Sequence, residues 1–237
     1  MFIAICLLII LTGLKNTLKK TTWSQSLNNK ILYGTALSIL LWIVLLSVLA
    51  VNGFFANFSK IPPKLPLAIL LPLPFVLIIS FSKKGKQLLP LIPAYWIVWM
   101  QSFRIAVELF LWMAFMANKL PVQMTFEGRN FDIVTGLLAI PVGYFLSKKI
   151  KQTSVLTLAF NIIGLLLLIN ILVLSILSMP TPFRYFMNEP ANTLLAQFPF
   201  ILLPGVLVPL AYTLHIFSLL QLSLDRSAPQ VRPVKAV

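Results

Sequence analysis

Four residues with polar or aromatic side chains, Gln101, Arg104, Glu108 and Trp112, recur three or four positions apart within one long apolar stretch. On an α-helix this spacing places the four side chains on one face. An arginine near the centre of a bilayer costs about 2.5–3.5 kcal/mol on insertion scales, and Glu108, one turn further on, can offset part of that cost. We therefore expect this face to point into a helical bundle and Arg104 to pair with Glu108. Such a pair can bind an anionic or zwitterionic ligand, exchange protons at Glu108, or simply fix helix packing.

A second polar segment, Met124 to Asp132, combines charged, aromatic and turn-forming residues. Asn130 or Asp132 is suited to cap the helix that follows, and a carboxylate there also favours the positive end of the helix. This capping role does not explain the charged residues Glu127 and Arg129. We therefore expect the segment to form a lip over an outward-facing polar cavity that contains Arg104 and Glu108.

Two residues near the C-terminus, Tyr212 and His215, are three positions apart and share one helix face. Counting residues from the helix ends places His215 roughly 5 Å below Arg104, nearer to the depth of Gln101. In the preceding apolar stretch, Asn161 and Asn170 should project from opposite faces and form helix–helix hydrogen bonds.

The composition predicts that these helices lie in a lipid bilayer. Of the 237 residues, 59% are hydrophobic and 10% are charged, with a mean hydropathy of +0.95, whereas soluble domains are about 45–50% apolar and about 25% charged. A soluble fold of this size could not bury so much apolar surface. We therefore predict an all-α, polytopic bundle in a lipid bilayer, with residues 1–237 forming a single transmembrane domain.

Seven apolar runs are candidates for membrane spans. The predicted spans cover residues 2–14, 31–51, 65–82, 94–117, 131–146, 155–177 and 198–222. The first is shorter than the roughly 20 residues that a span normally needs. Prolines at the start of the third span and in the first half of the seventh predict irregular or kinked helices there.

The basic residues predict an orientation for these spans. Of the 19 lysines and arginines, 13 fall in one set of alternating segments, 5 in the other set, and Arg104 lies within a span. Because lysine and arginine accumulate in cytoplasmic loops, this distribution places the N-terminus outside and the C-terminus in the cytoplasm. The expected location is the cell membrane, of the bacterial cytoplasmic type.

The same distribution argues against a nucleic-acid partner, although the net charge is +14. The basic residues form short clusters between apolar runs, where anionic lipid headgroups are their natural neighbours. No cofactor or metal is predicted either. A single histidine cannot supply two haem ligands, the last span has no lysine for a retinal Schiff base, and the sequence lacks zinc-protease, serine-hydrolase and phosphate-loop motifs.

The sequence favours a small transporter or binding protein that takes a small molecule or an ion into the predicted cavity. A second hypothesis is an intramembrane enzyme that acts on a lipid or lipid-linked substrate, with Glu108, Glu127, Asp132 or His215 as its acid or base. Ser218 lies one turn after His215, but no acid that could complete a triad can be located. A third hypothesis is an accessory subunit without chemistry of its own.

Overall fold

The computed structural model of the chain describes residues 1–59, 62–148, 150 and 153–227, and the side chains of 225–227 are not described. Within these residues the chain consists of helices and connecting segments without a strand, which confirms the predicted all-α class. The α-helices are α1 (Phe2–Leu18), α2 (Gln25–Val51), α3 (Leu65–Leu70), α4 (Pro72–Phe81), α5 (Lys83–Leu88), α6 (Ala94–Met100), α7 (Phe103–Met116), α8 (Ile133–Ser147), α9 (Thr153–Leu177) and α10 (Val208–Ser227).

Four helical stretches are long and apolar enough to cross a membrane: Gln25–Val51, Ala94–Met116, Thr153–Leu177 and Leu203–Leu224. A fifth is obtained if Leu65–Phe81 and Lys83–Leu91, which meet at an angle of 66°, count as one span. Helices α1 and α8 are apolar but shorter. The number of seven spans and the orientation of the termini therefore stay predictions. Several basic residues behind that orientation lie outside the described residues, namely Lys60, Lys149, Lys151, Arg232 and Lys235.

Helix α2 begins well before the predicted start at residue 31. The Ser24 hydroxyl accepts a hydrogen bond from the Leu27 amide at 3.3 Å, so Ser24 caps the helix. The first turns of α2 are polar and contain Asn28 and Lys30. Apolar content alone therefore underestimates the length of the helix, because the cap lies outside the apolar run.

The third predicted span is broken, as its prolines predict. Pro72 begins α4 directly after α3 ends at Leu70. The sharper bend lies at Ser82, whose hydroxyl accepts from the Gly85 amide at 3.0 Å and caps α5. The basic residues Lys83, Lys84 and Lys86 consequently lie on a short separate helix.

The fourth predicted span changes geometry in the middle, between α6 and α7. Here the amides of Gln101, Ser102 and Arg104 bond to the carbonyl oxygens three residues earlier, at 3.0–3.1 Å. This spacing is that of a 3₁₀ turn, in which residues three apart eclipse each other. Gln101 and Arg104 therefore stay on the same side of the chain across the junction.

The seventh predicted span starts later than residue 198 and is irregular at its beginning. A π-helical turn, Leu203–Leu207, precedes α10 and contains Pro204 and Gly205. The Gly205 carbonyl oxygen accepts a hydrogen bond from the Trp42 indole at 2.8 Å, which ties α2 to this turn. The predicted irregularity in the first half of this span is confirmed by the π-helical turn, and the wide turn supplies a carbonyl for a distant side chain.

Helix α8 packs closely against α7 at Gly136. A Cβ atom added at Gly136 would lie 2.9 Å from the Ile105 backbone nitrogen and 2.7 Å from Ile105 Cγ1. Backbone cannot move aside as the end of a flexible side chain can. Because Arg104 precedes Ile105, this contact also sets the distance between Arg104 and the start of α8.

We predict that Gly136→Ala lowers the free energy of unfolding by about 1–3 kcal/mol, since α7 and α8 must separate to admit the methyl group. The measurement is equilibrium unfolding in detergent micelles. Gly34→Ala is the matched control, because an added Cβ on the exposed Gly34 of α2 meets nothing within 4 Å. This control should leave the stability unchanged or raise it by at most about 1 kcal/mol. Equal stability of the two variants would show that α7 and α8 do not depend on this contact.

Candidate functional site

Arg104 and Asp132 form an ion pair that is almost completely buried. The relative exposure of Arg104 is 2% and that of Asp132 is 5%. Arg104 Nε donates to Asp132 Oδ2 at 2.7 Å, and Arg104 Nη2 donates to Asp132 Oδ1. This two-bond arrangement matches the fork of the guanidinium to the carboxylate and is among the strongest hydrogen-bonded ion pairs.

Arg104 therefore pairs with Asp132. The predicted pairing of Arg104 with Glu108 is wrong. The order Arg before Glu within one helix is the less favourable one at this spacing. Asp132 lies at the start of α8, where its carboxylate can meet the guanidinium head-on. Of the two predicted caps of α8, Asp132 occupies the N-cap position but its side chain forms no capping hydrogen bond, whereas Asn130 Oδ1 accepts from the Asp132 amide at 3.1 Å.

His215 of α10 contacts the same guanidinium, with His215 Nε2 3.0 Å from Arg104 Nη1. A guanidinium can only donate, so Nε2 must accept and the ring proton is on Nδ1. His215 Nδ1 then donates to Asn161 Oδ1 at 2.8 Å, and Asn161 Nδ2 donates to the Ser218 hydroxyl at 2.8 Å. The neutral imidazole thus links Arg104 to α9.

The predicted depth difference between His215 and Arg104 does not keep their side chains apart, since Arg104 Nη1 and His215 Nε2 are 3.0 Å apart. Counting residues from helix ends takes no account of the tightened turn at Gln101, of helix tilt, or of the reach of an extended arginine side chain. In the structure Arg104 spans the distance to α10, and it also donates to the Gly164 carbonyl oxygen on α9 at 3.3 Å.

Gly164 allows this approach of α9. A Cβ atom at this position would lie 2.7 Å from His215 Nε2, the atom that accepts from Arg104. Any larger residue would push the imidazole away from the guanidinium. The sequence analysis did not identify Gly164, because nothing near it in the sequence marks it as part of a polar site.

Glu108 is equally buried, with a relative exposure of 1%, but it has a different partner. Both Glu108 carboxyl oxygens accept from Asn130 Nδ2 at 2.7 Å. Asn130 Nδ2 also donates to the Met124 carbonyl oxygen at 3.1 Å, and Asn130 Oδ1 accepts from the Asp132 amide at 3.1 Å. Asn130 therefore orders the turn before α8 and presents Glu108 with an uncharged donor. Among the described residues, no cation lies within ion-pair distance of Glu108.

The remaining two residues of the predicted lip, Glu127 and Arg129, are exposed and do not reach the buried cluster. Glu127 Oε1 accepts from the Trp112 indole at 2.6 Å. The Arg129 guanidinium lies over the Phe186 ring, 5.4 Å from its centroid, and the Arg129 carbonyl oxygen accepts from Asn170 Nδ2 at 2.8 Å. These contacts fasten the segment to its neighbours and do not form a roof of charges.

The 120–130 segment is joined to the connection between α9 and α10. Asn188 Nδ2 donates to Gln123 Oε1 at 2.8 Å, and Gln123 Nε2 donates to the Ser178 hydroxyl at 2.9 Å. Within that connection, Arg184 forms an ion pair with exposed Glu189 at 3.0 Å, and this hydrogen bond lowers the pKa of the Glu189 carboxyl. The two segments are thus joined to each other through Gln123.

Gln101 and Tyr212, both predicted site residues, form hydrogen bonds with backbone and not with the charged cluster. Gln101 Nε2 donates to the Ala211 carbonyl oxygen at 3.1 Å, and the Tyr212 hydroxyl donates to the Ile69 carbonyl oxygen at 3.2 Å. Both side chains are buried and tie α10 to α6 or α3. Their geometry is that of packing residues.

A cavity of about 60 Å³ adjoins the cluster, with Arg104, Glu108 and Asp132 on its wall. At about 10–15 Å³ for each water-sized group, it holds roughly four to six such groups. Apart from Ser175, the other lining residues are apolar, and neither Glu127, Arg129 nor Asn130 is among them. The apolar part of the wall consists of Ile69, Phe103, Val107, Leu111, Met124, Leu168, Ile171, Leu172, Leu195, Leu203, Pro204, Leu207 and Val208.

The chain belongs to the family described as "Domain of unknown function (DUF8737)", which matches residues 64–223 and thus more than half of the chain. Every residue of the charged cluster and of the cavity wall lies within the matched range. No curated protein and no solved structure matches the chain.

We predict that Arg104→Met and Asp132→Leu each lower the free energy of unfolding by about 3–5 kcal/mol, because each leaves a charge buried without its partner. The double variant replaces the pair with apolar side chains and should be considerably more stable than the sum of the single effects implies. Equilibrium unfolding in detergent micelles measures all three variants. Additive losses, or single variants as stable as the natural protein, would contradict the tight pairing of these two residues.

Proposed function

We propose that this DUF8737 protein is a small membrane transporter or binding protein that takes its ligand into the cavity beside Arg104, Glu108 and Asp132. The observation that carries this proposal is the position of three ionisable side chains on the wall of one cavity between helices that are long and apolar enough to cross a membrane. Charged groups in such a setting are costly and commonly mark a substrate or ion site. A purely structural ion pair would not need a void beside it.

The proposal includes seven spans, with the N-terminus outside and the C-terminus in the cytoplasm. In this arrangement the 120–130 segment and the connection between α9 and α10 lie on the outer side. Met124 and Leu195 belong to these segments and line the cavity. A ligand from outside would thus reach the cavity past these two segments.

The geometry supports an enzyme less well. Both ring nitrogens of His215 are engaged, one by Arg104 and the other by Asn161. Ser218 is linked to His215 only through Asn161, so the imidazole is not placed to remove the serine proton.

Access to the cavity can be tested with an introduced thiol. Ser175 is 5% exposed and lies on the cavity wall, and cysteine is close to serine in size. In a Cys6→Ala background, which removes the single native cysteine, we expect Ser175→Cys to react with 2-aminoethyl methanethiosulfonate, because a ligand site must open to water at least transiently. Mass spectrometry of the purified protein measures the modified fraction. The matched control is Ser80→Cys, since Ser80 is 1% exposed and lies away from the cavity wall.

The sidedness of this access is established with Met187→Cys, whose position is 71% exposed in the connection between α9 and α10. A membrane-impermeant thiol reagent added to intact cells should label Met187→Cys and should not label Lys84→Cys on α5. The reversed pattern would overturn the orientation. A Ser175 thiol as unreactive as that of the Ser80→Cys control would overturn the ligand site.

A further inference from the structure

The cavity wall carries an excess of one negative charge when its carboxyl groups are ionised. Arg104 and Asp132 neutralise each other through their two hydrogen bonds. His215 is the neutral tautomer, because its Nε2 accepts from Arg104. Among the described residues, the hydrogen-bond partner of the Glu108 carboxyl is the uncharged Asn130 side chain. With both carboxyl groups ionised, the negative charge of Glu108 therefore has no positive partner on the described cavity wall.

The hydrogen-bond donors of Arg104 are almost fully used. A guanidinium has five N–H groups. Two bond to Asp132, one to His215 and one to the Gly164 carbonyl oxygen, which leaves a single N–H on Nη1. An anion would find one donor there and two carboxylates beside it. This arrangement disfavours the anionic ligand that the arginine alone indicates.

From this charge balance and the apolar wall we propose that the cavity binds a small primary ammonium ion, with the ammonium group on the Glu108 carboxylate and a short alkyl body against the apolar side chains. This inference rests on the proposed function and specifies the ligand of the same site. The cavity holds roughly four to six water-sized groups, which corresponds to an alkylammonium of about four to six non-hydrogen atoms.

A hard metal ion fits this wall poorly. Divalent cations require about six oxygen ligands. The lining residues with polar side chains are Arg104, Glu108, Asp132 and Ser175, and the Asp132 oxygens already accept from Arg104. An alkylammonium needs only the carboxylate and gains from burying its carbon atoms among Leu111, Leu172 and their apolar neighbours.

Proton exchange at Glu108 follows from the same geometry. A carboxylate without a cation is costly in an apolar cavity, and either a proton or an ammonium ion on Glu108 removes that cost. Binding then converts the carboxylic acid and the ammonium ion into a carboxylate–ammonium pair and releases one proton to water. The charged groups that face Glu108 are Arg104 on its own helix and Asp132 at the start of α8. The described residues of α9 and α10 on the cavity wall are uncharged.

The test is isothermal titration calorimetry on the purified full-length protein with three probes of similar shape: n-butylammonium, 1-butanol and sodium butyrate. We expect n-butylammonium to bind and the alcohol and the carboxylate to bind at least about tenfold more weakly, since a hydrogen bond to a charged group separates the first from the others. Titrations in two buffers of different ionisation enthalpy should show release of about one proton per ligand. The affinity should fall as the pH is lowered, because protons compete for Glu108.

Two pairs of variants locate the binding. Glu108→Gln keeps an acceptor for Asn130 and should weaken n-butylammonium binding about 10- to 100-fold, whereas Glu189→Gln removes an exposed acid and should leave this binding unchanged.

Leu172→Phe fills the cavity without altering its charge and should abolish n-butylammonium binding. Leu166→Phe on the exposed face of the same helix is its control. If Glu108→Gln does not fold, the Leu172→Phe pair still decides whether the probe enters this cavity.

The outcomes separate this inference from the proposed function. Tighter binding of butyrate, equal binding of the three probes, or unchanged binding in Glu108→Gln would overturn the ammonium assignment. If none of the probes binds while the Ser175→Cys thiol reacts, the ammonium assignment is wrong and an accessible site for another ligand stands. An unreactive Ser175→Cys thiol together with absent binding overturns both.

Discussion

The buried ion pair between Arg104 and Asp132 connects four helices, α7, α8, α9 and α10, at one point. Through four of its five N–H donors the guanidinium connects α7 to the start of α8, to the α9 backbone at Gly164 and to His215 on α10. A charge buried to this extent is stable only when its hydrogen bonds and its counter-charge are all in place. The relative positions of these helices are therefore coupled to one side chain, and Gly136 and Gly164 provide the close approach that this coupling requires.

The same pairing determines the electrostatics of the cavity. Because Asp132 neutralises Arg104, the arginine is a structural element more than a receptor for anions, and Glu108 is left as the uncompensated acid beside the void. Asn130 holds the Glu108 carboxyl in place without altering its charge. The carboxyl groups of Asp132 and Glu108 thus have different roles, because Asp132 has a cationic partner and Glu108 has an uncharged one.

Much of the fold was predictable from the sequence, since an apolar composition favours helices and Pro72 and Pro204 coincide with irregular positions, although the 66° bend at Ser82 has no proline and α8 continues through Pro141. The sequence also predicts that Arg104, Glu108 and Asn130 lie close together, because charged and polar residues are rare in this chain, but it assigns Asp132 to a helix cap and places His215 nearer to the depth of Gln101. Their pairing was not predictable. It depends on the tight turn at Gln101, on helix tilt and on the close approach at Gly164, none of which has a local signature. Four other polar residues of the predicted site bond to backbone or to neighbouring side chains outside the cluster, namely Gln101, Glu127, Arg129 and Tyr212.

We propose that the ligand binds at Glu108, and infrared difference spectroscopy on the reconstituted protein measures the charge of this carboxyl group with and without ligand. On addition of n-butylammonium the natural protein should lose one protonated carboxylic acid band and gain a carboxylate band. The Glu108→Gln variant should show neither change. A spectrum that does not respond to the probe, or the same response in the variant, would contradict the claim and leave the buried charges with a purely structural role.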